Sequence, residues 1–174
     1  MKAIALTAAS IAALSLAGSA QAERERASPH ADVTATLAGK KITISYGRPL
    51  MKGRAIFGGL VPWDKVWRTG ADEATTFTTE ADLVIGGLKV PKGEYALFTI
   101  PTEKQWTLVV NKTAKQWGAF KYDAAQDLGR APMAVAASTK PVEQFTIEMT
   151  PAGKQLLLKL AWDKTVATIA IAPQ

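Results

Sequence analysis

Apolar and polar residues alternate one for one through segment after segment of this 174-residue chain, with turn residues between the segments. A period of two is the spacing of side chains on opposite faces of a β-strand, and it leaves little room for helices. In "KKITISYG", Ile42, Ile44 and Tyr46 share one face while Lys41, Thr43 and Ser45 share the other. In "QFTIEMT", Phe145, Ile147 and Met149 lie inward and Thr146, Glu148 and Thr150 outward. Both read as strands with one wet face. "GEYALFTIP" and "QWTLVVN" are apolar on both faces, as central strands covered on both sides are. Further strands are expected around 33–37, 66–69, 74–79, 82–85 and 132–137. "LLLKLAWD" followed by "KTVATIAIA" reads as a terminal hairpin turning near Asp163 and Lys164. About ten short strands and no convincing amphipathic helix predict an all-β fold, an antiparallel β-sandwich or jelly roll with little helix.

The first 22 residues, "MKAIALTAASIAALSLAGSAQA", carry one early Lys, an apolar stretch and a closing Ala20-Gln21-Ala22. That is the pattern of a secretory signal peptide cleaved after Ala22, and it predicts a periplasmic or secreted protein. The apolar stretch is too short for a membrane span, so no membrane insertion is expected. Residues 23–174 are expected to form one β-sandwich domain, and 152 residues suffice for one substantial core. Removing Lys2 with the leader leaves 20 cations against 15 anions, a balance of +5, with the two signs interspersed rather than in blocks. This charge pattern speaks for solubility and against a nucleic-acid partner. The sequon at Asn111-Lys112-Thr113 matters only in a eukaryotic secretory path and reads as a chance match.

Several chemistries lack their residues. The chain has no Cys and a single His, His30, which is expected to sit in a mobile N-terminal arm. A His-based triad and a His or Cys metal centre are therefore not expected, nor is any cofactor. A calcium site using Asp72 and Glu73 stays open on residue type alone. The paired glycines of "FGGLVP" (57–62) and "IGGLKVP" (85–91) read as tight turns, because a phosphate cradle needs a following helix and strand-like residues follow each. Residues 111–131 break the alternation and are expected to hold a short helix near 113–117 and a loop or single helical turn near 123–128, with Trp117 and Tyr122 either rimming an edge or plugging the loop onto the core.

What remains is the Arg-rich block "YGRPLMKGRAIFGGLVPWDKVWRTGADEATTFTT", residues 46–79. A guanidinium grips carboxylate, phosphate or sugar hydroxyls with a fixed fork of donors. In a strand at 66–69, Trp67 and Arg68 point to opposite faces, so a buried Trp67 sends Arg68 outward or into a groove. Gly70 allows a sharp turn that brings Asp72 or Glu73 back towards a guanidinium. Three readings of the block follow: a structural salt-bridge cluster, a ligand-binding groove, or an active site.

The same block, with "IGGLKVPKGEYALFTIP", "WTLVVNK" and "QWGAFKYD", resembles the bacterial exported family DUF2911, a domain of unknown function, over about residues 28–172. The family pattern R-P-x-x-K-G-R-x-I-F-G is matched by Arg48, Pro49, Lys52, Gly53, Arg54, Ile56, Phe57 and Gly58. The pattern W-R-x-G-A-N-E-A-T is matched by Trp67, Arg68, Gly70, Ala71, Glu73, Ala74 and Thr75, with Asp72 in place of Asn. An ionised Asp only accepts hydrogen bonds, so the exchange favours a turn-capping role for position 72 over donation to a ligand. The resemblance implies an exported β-rich domain and assigns it no reaction.

Two main function classes stand. One is a non-catalytic binding domain of the cell envelope, taking a carbohydrate or an anionic small molecule on Arg48, Arg54, Trp67, Arg68, Glu73 and Thr75. The other is a hydrolase or lyase with Asp72 or Glu73 as acid or base, which requires the loop to kink between two adjacent residues. A third reading, a structural module with a protein partner or self-association, rests on the free strand edges of a sandwich.

Overall fold

A computed structural model of the protein describes residues 26–174, and the expected signal peptide lies outside the described residues. Nine strands follow in order: β1 (His30–Leu37), β2 (Lys40–Gly47), β3 (Thr75–Thr79), β4 (Leu83–Ile85), β5 (Leu88–Val90), β6 (Gly93–Ile100), β7 (Gln105–Asn111), β8 (Asp127–Ala152) and β9 (Gln155–Pro173). All neighbours are antiparallel, and the strands form one sheet in the order β1-β2-β3-β6-β7-β8-β9-β4-β5. The fold is all-β, as the alternation predicts.

The two layers come from one sheet folding over on itself. The β8–β9 ladder slips register between Ala137 and Val142 and again between Val142 and Thr146, and Asp163, opposite Val142, has φ +52°. Such bulges bend a strand and increase its twist. β2 and β8 are not ladder neighbours, yet Tyr46 Oη accepts the Ile147 N–H at 2.9 Å and its ring meets Phe145 edge-on at 5.6 Å. They pack face to face across the core. The segment after β2 closes the corner: the Phe145 N–H donates to Pro49 O at 2.9 Å and the Met51 N–H to Glu143 O at 2.8 Å.

Ile42, Ile44 and Tyr46 of β2 are buried, as are Phe145 and Ile147 of β8. β6 and β7 sit inside the sheet and bury both faces. Tyr95, Leu97, Trp106, Leu108 and Val110 enter the main core, while Ala96, Phe98 and Val109 form a second cluster on the outer face. The 112–123 loop covers that outer cluster with Ala119 and Tyr122, whose ring meets Phe98 at 5.0 Å.

Four sequence expectations are corrected. The terminal hairpin does not form: residues 155–173 are one strand, and the reversal lies at Gly153 (φ +64°), because the polar pair at 163–164 makes a bulge instead of a turn. Residues 66–69 are not a strand, since Trp67 makes only an isolated bridge to Thr99 and Thr69 turns away at φ +57°. No helix forms at 113–117, where Ala74 N–H to Gln116 O and a Glu73–Trp117 bridge hold the chain extended; a single 3-10 turn forms at Ala124–Gln126. His30 is not in a loose arm. It begins β1, paired with Gly47, and its Nε2 lies 2.8 Å from Ser45 Oγ, which donates to Asp32 Oδ1.

Candidate functional site

The loop from Trp67 to Thr75 is held from several sides. Trp67 exchanges backbone hydrogen bonds with Thr99 on β6 (2.8 and 2.9 Å), and the Thr75 N–H donates to Arg68 O at 3.1 Å. Thr75, fully buried, donates its hydroxyl to Thr69 O at 2.7 Å, and Trp67 Nε1 donates to Gly70 O at 3.2 Å. Close packing demands glycine at the neighbouring strand end: a Cβ on Gly47 would lie 2.3 Å from Ala71 O. Asp72 takes φ +62°, a conformation that Asp and Asn tolerate better than other side chains.

This loop forms one wall of a cleft of about 420 Å³. Trp67, Arg68, Gly70, Ala71 and Asp72 line that wall; Pro49, Leu50, Lys52, Arg54, Leu60 and Val61 come from the segment after β2. Trp162 of β9 and Ala27, Ser28 and Pro29 complete it. The floor is aromatic. Trp67 and Trp162 stack at 5.9 Å with 18° between planes, and Trp67 meets Phe145 edge-on at 5.0 Å.

The cations of the block differ sharply in what they hold. The Arg48 guanidinium donates to Phe145 O (3.3 Å) and Thr146 Oγ1 (3.2 Å), tying the end of β2 to β8. Arg54 curls onto its own loop, donating to Met51 O (2.9 Å) and Leu50 O (2.6 Å). Arg68 is half-buried, and its Nε is buried with no hydrogen-bond partner. Burial pulls its guanidinium below the usual arginine range, and the nearby negative charge of Asp72 pulls back only in part. An arginine stays protonated under such a pull, so Arg68 lines the cleft as a cation with one buried donor unused. Among the described residues the block is not a salt-bridge cluster, since Arg48 and Arg54 bind carbonyls and a hydroxyl and Arg68 pairs with no carboxylate.

The adjacent carboxylates part company. Asp72 lines the Arg68 cleft, and its Oδ2 accepts the Ser28 N–H at 3.2 Å. Glu73 lines a second cleft of about 460 Å³ with Arg26, His30, Ser45, Thr76, Gln116 and Trp117. Arg26 grips Glu73 at 2.9–3.2 Å. Burial works against ionising Glu73, but the Arg26 hydrogen bond, its own backbone amide and the charges of Arg26 and His30 outweigh that and hold it below the usual carboxylate range. Among the described residues no group of three or more His, Cys, Asp or Glu side chains is placed to hold a metal ion.

Of the residues singled out from sequence, the structure thus brings Arg54, Trp67, Arg68 and Asp72 into one cleft. Arg48 lies beside it as a clasp, Thr75 beneath the loop as a buried support, and Glu73 in the neighbouring cleft. Leu50, Leu60 and Val61 fall inside the block but carry no sequence signal of a site, because apolar residues near turns read as core. Trp162 carried one signal, the single aromatic side chain of its strand, but its placement depends on the β9 bend.

A sequence model of a family described as a protein of unknown function, DUF2911, matches residues 28–171. No curated protein and no solved structure matches the chain.

Proposed function

The chain belongs to the DUF2911 family, and from its cleft we propose that it is a non-catalytic binding protein whose Arg68 takes the negative charge of a small molecule. The observation that carries this is the buried, unpartnered Nε of Arg68. A buried donor without an acceptor costs about 1–3 kcal/mol, and an anion entering the cleft recovers it. Lys52, Arg54 and Arg68 against Asp72 leave the lining positive. The site is prepared in advance, because the loop carrying Arg68 is pinned by backbone and threonine hydrogen bonds. With the leader-like N-terminus, the reading is of a ligand met in the periplasm or outside the cell. The two-carboxylate hydrolase finds no support in this geometry, since Asp72 and Glu73 face different clefts.

The test is a thermal-shift titration of the protein with acetate, sulfate and phosphate beside Arg68→Met. A ligand at about 100 times its dissociation constant adds roughly 2.7 kcal/mol of stability. Wild type is expected to rise in melting temperature with at least one anion, and Arg68→Met, still folded, with none. Equal shifts in both proteins defeat the proposal.

A further inference from the structure

The cleft that presents Arg68 is otherwise mostly apolar, and one of its apolar members is out of place. Leu60 is 46 % exposed and, with Phe120, one of two large hydrophobic side chains left in water among the described residues. It lines the cleft with Leu50 and Val61. Its exposure is not the by-product of a loose turn, because the turn is tied down along its length. The Gly58 N–H donates to Val61 O, Gly59 to Ile56 O, Leu60 to Ala55 O and Val61 to Ile56 O, at 2.8–3.2 Å. Pro49, Val61, Trp67 and Trp162, all lining the cleft, are buried, so they form a firm apolar floor beneath the more exposed Leu50 and Leu60.

The polar side of the cleft is correspondingly narrow. Arg54 is committed to backbone carbonyls, and the Lys52 ammonium is exposed. Asp72, on the same wall as Arg68, repels a second negative charge. One guanidinium fork fits one carboxylate.

Resting on the anion-binding reading above, we propose that the ligand is an amphipathic monocarboxylate, its carboxylate on Arg68 and an aliphatic chain or ring along Leu50 and Leu60, over the floor made by Val61 and Trp162. A neutral sugar brings no negative charge to Arg68. The charge on Arg68 and the apolar atoms leaving water both supply affinity, and Arg68 also sets the orientation.

The experiment is a fluorescence titration of the purified protein, with Trp67 and Trp162 as reporters in the lining. The probes are acetate, hexanoate, 3-phenylpropionate, hexanamide and inorganic phosphate. Hexanoate or 3-phenylpropionate is expected to bind at least tenfold tighter than acetate and phosphate, since each buried methylene is worth several-fold. Hexanamide, the same chain without charge, is expected to lose most of that affinity. Leu60→Ser, a change at an exposed position, is expected to cut hexanoate binding severalfold and leave acetate unchanged, while Arg68→Met abolishes binding of every anion. Hexanoate no tighter than acetate, with both lost in Arg68→Met, overturns the amphipathic ligand and leaves the anion site standing. Hexanamide binding as well as hexanoate, or no binding by any probe, overturns both.

Discussion

Arg68 and Asp72 line the same cleft and attract one another, yet no ion pair forms between them; the Asp72 carboxylate holds the backbone N–H of Ser28 at 3.2 Å, and Arg68 Nε holds nothing among the described residues. A chain optimised only for stability would close that gap. An incoming acceptor would close it, which is why the proposed function centres on Arg68.

Stability is the first place this shows. Arg68→Met keeps the length of the side chain and removes a half-buried charge with an unsatisfied donor, so it is expected to leave stability unchanged or raise it by up to about 1 kcal/mol in urea unfolding. A loss above about 2 kcal/mol means that the guanidinium has a structural partner in solution and is not a free site.

Asp72→Asn keeps the shape of the side chain and removes its charge. Position 72 has φ +62°, which Asn accepts as readily as Asp, and an Asn oxygen still accepts from the Ser28 N–H. The fold is expected to be unaffected. Removing a negative charge near Arg68 is worth about 1 kcal/mol to a bound anion, so acetate affinity is expected to rise roughly fivefold. Calorimetric titration checks this, and an unchanged or lower affinity contradicts the placement of the anion.

Arg48 is assigned a different role. Its bonds to Phe145 O and Thr146 Oγ1 join the end of β2 to β8, so Arg48→Ala is expected to cost about 1–3 kcal/mol in denaturant unfolding. A neutral result removes the clasp.

The Arg26–Glu73 pair gives a pH signature. Glu73 ionises more readily folded than unfolded, so its contribution is present above the ordinary carboxylate value of about 4.5 and is lost as pH falls through the lower folded value. Glu73→Gln is therefore expected to flatten the acid side of the stability profile. Above about pH 5 it is expected to lower stability by less than about 1 kcal/mol, because the pair is partly exposed. Superimposable acid profiles for the two proteins mean that the ion pair is absent in solution.

Much of this was legible in the chain alone because side-chain alternation is local. The inward faces of β2 and of the second half of β8, the two-sided burial of β6 and β7, and the Gly86–Gly87 turn (φ +54° and +92°) all follow from residues a few places apart. The block at 46–79 stood out as a candidate site by its density of arginine, tryptophan and carboxylate. Tertiary structure decided the rest. A polar pair in an apolar run serves a turn or a bulge equally well, and only pairing with Val142 made Asp163 a bulge that carries β9 onward and sets Trp162 in the cleft. Adjacent Asp72 and Glu73 look equivalent in sequence, and the left-handed turn at 72 sent them to separate clefts. Three arginines of one block look equally available, and they differ because whether a guanidinium meets a carbonyl depends on segments about a hundred residues away for Arg48, three or four away for Arg54, and on none among the described residues for Arg68. Local pattern dictates which face of a strand is dry; which donors are left unsatisfied is a property of the closed fold.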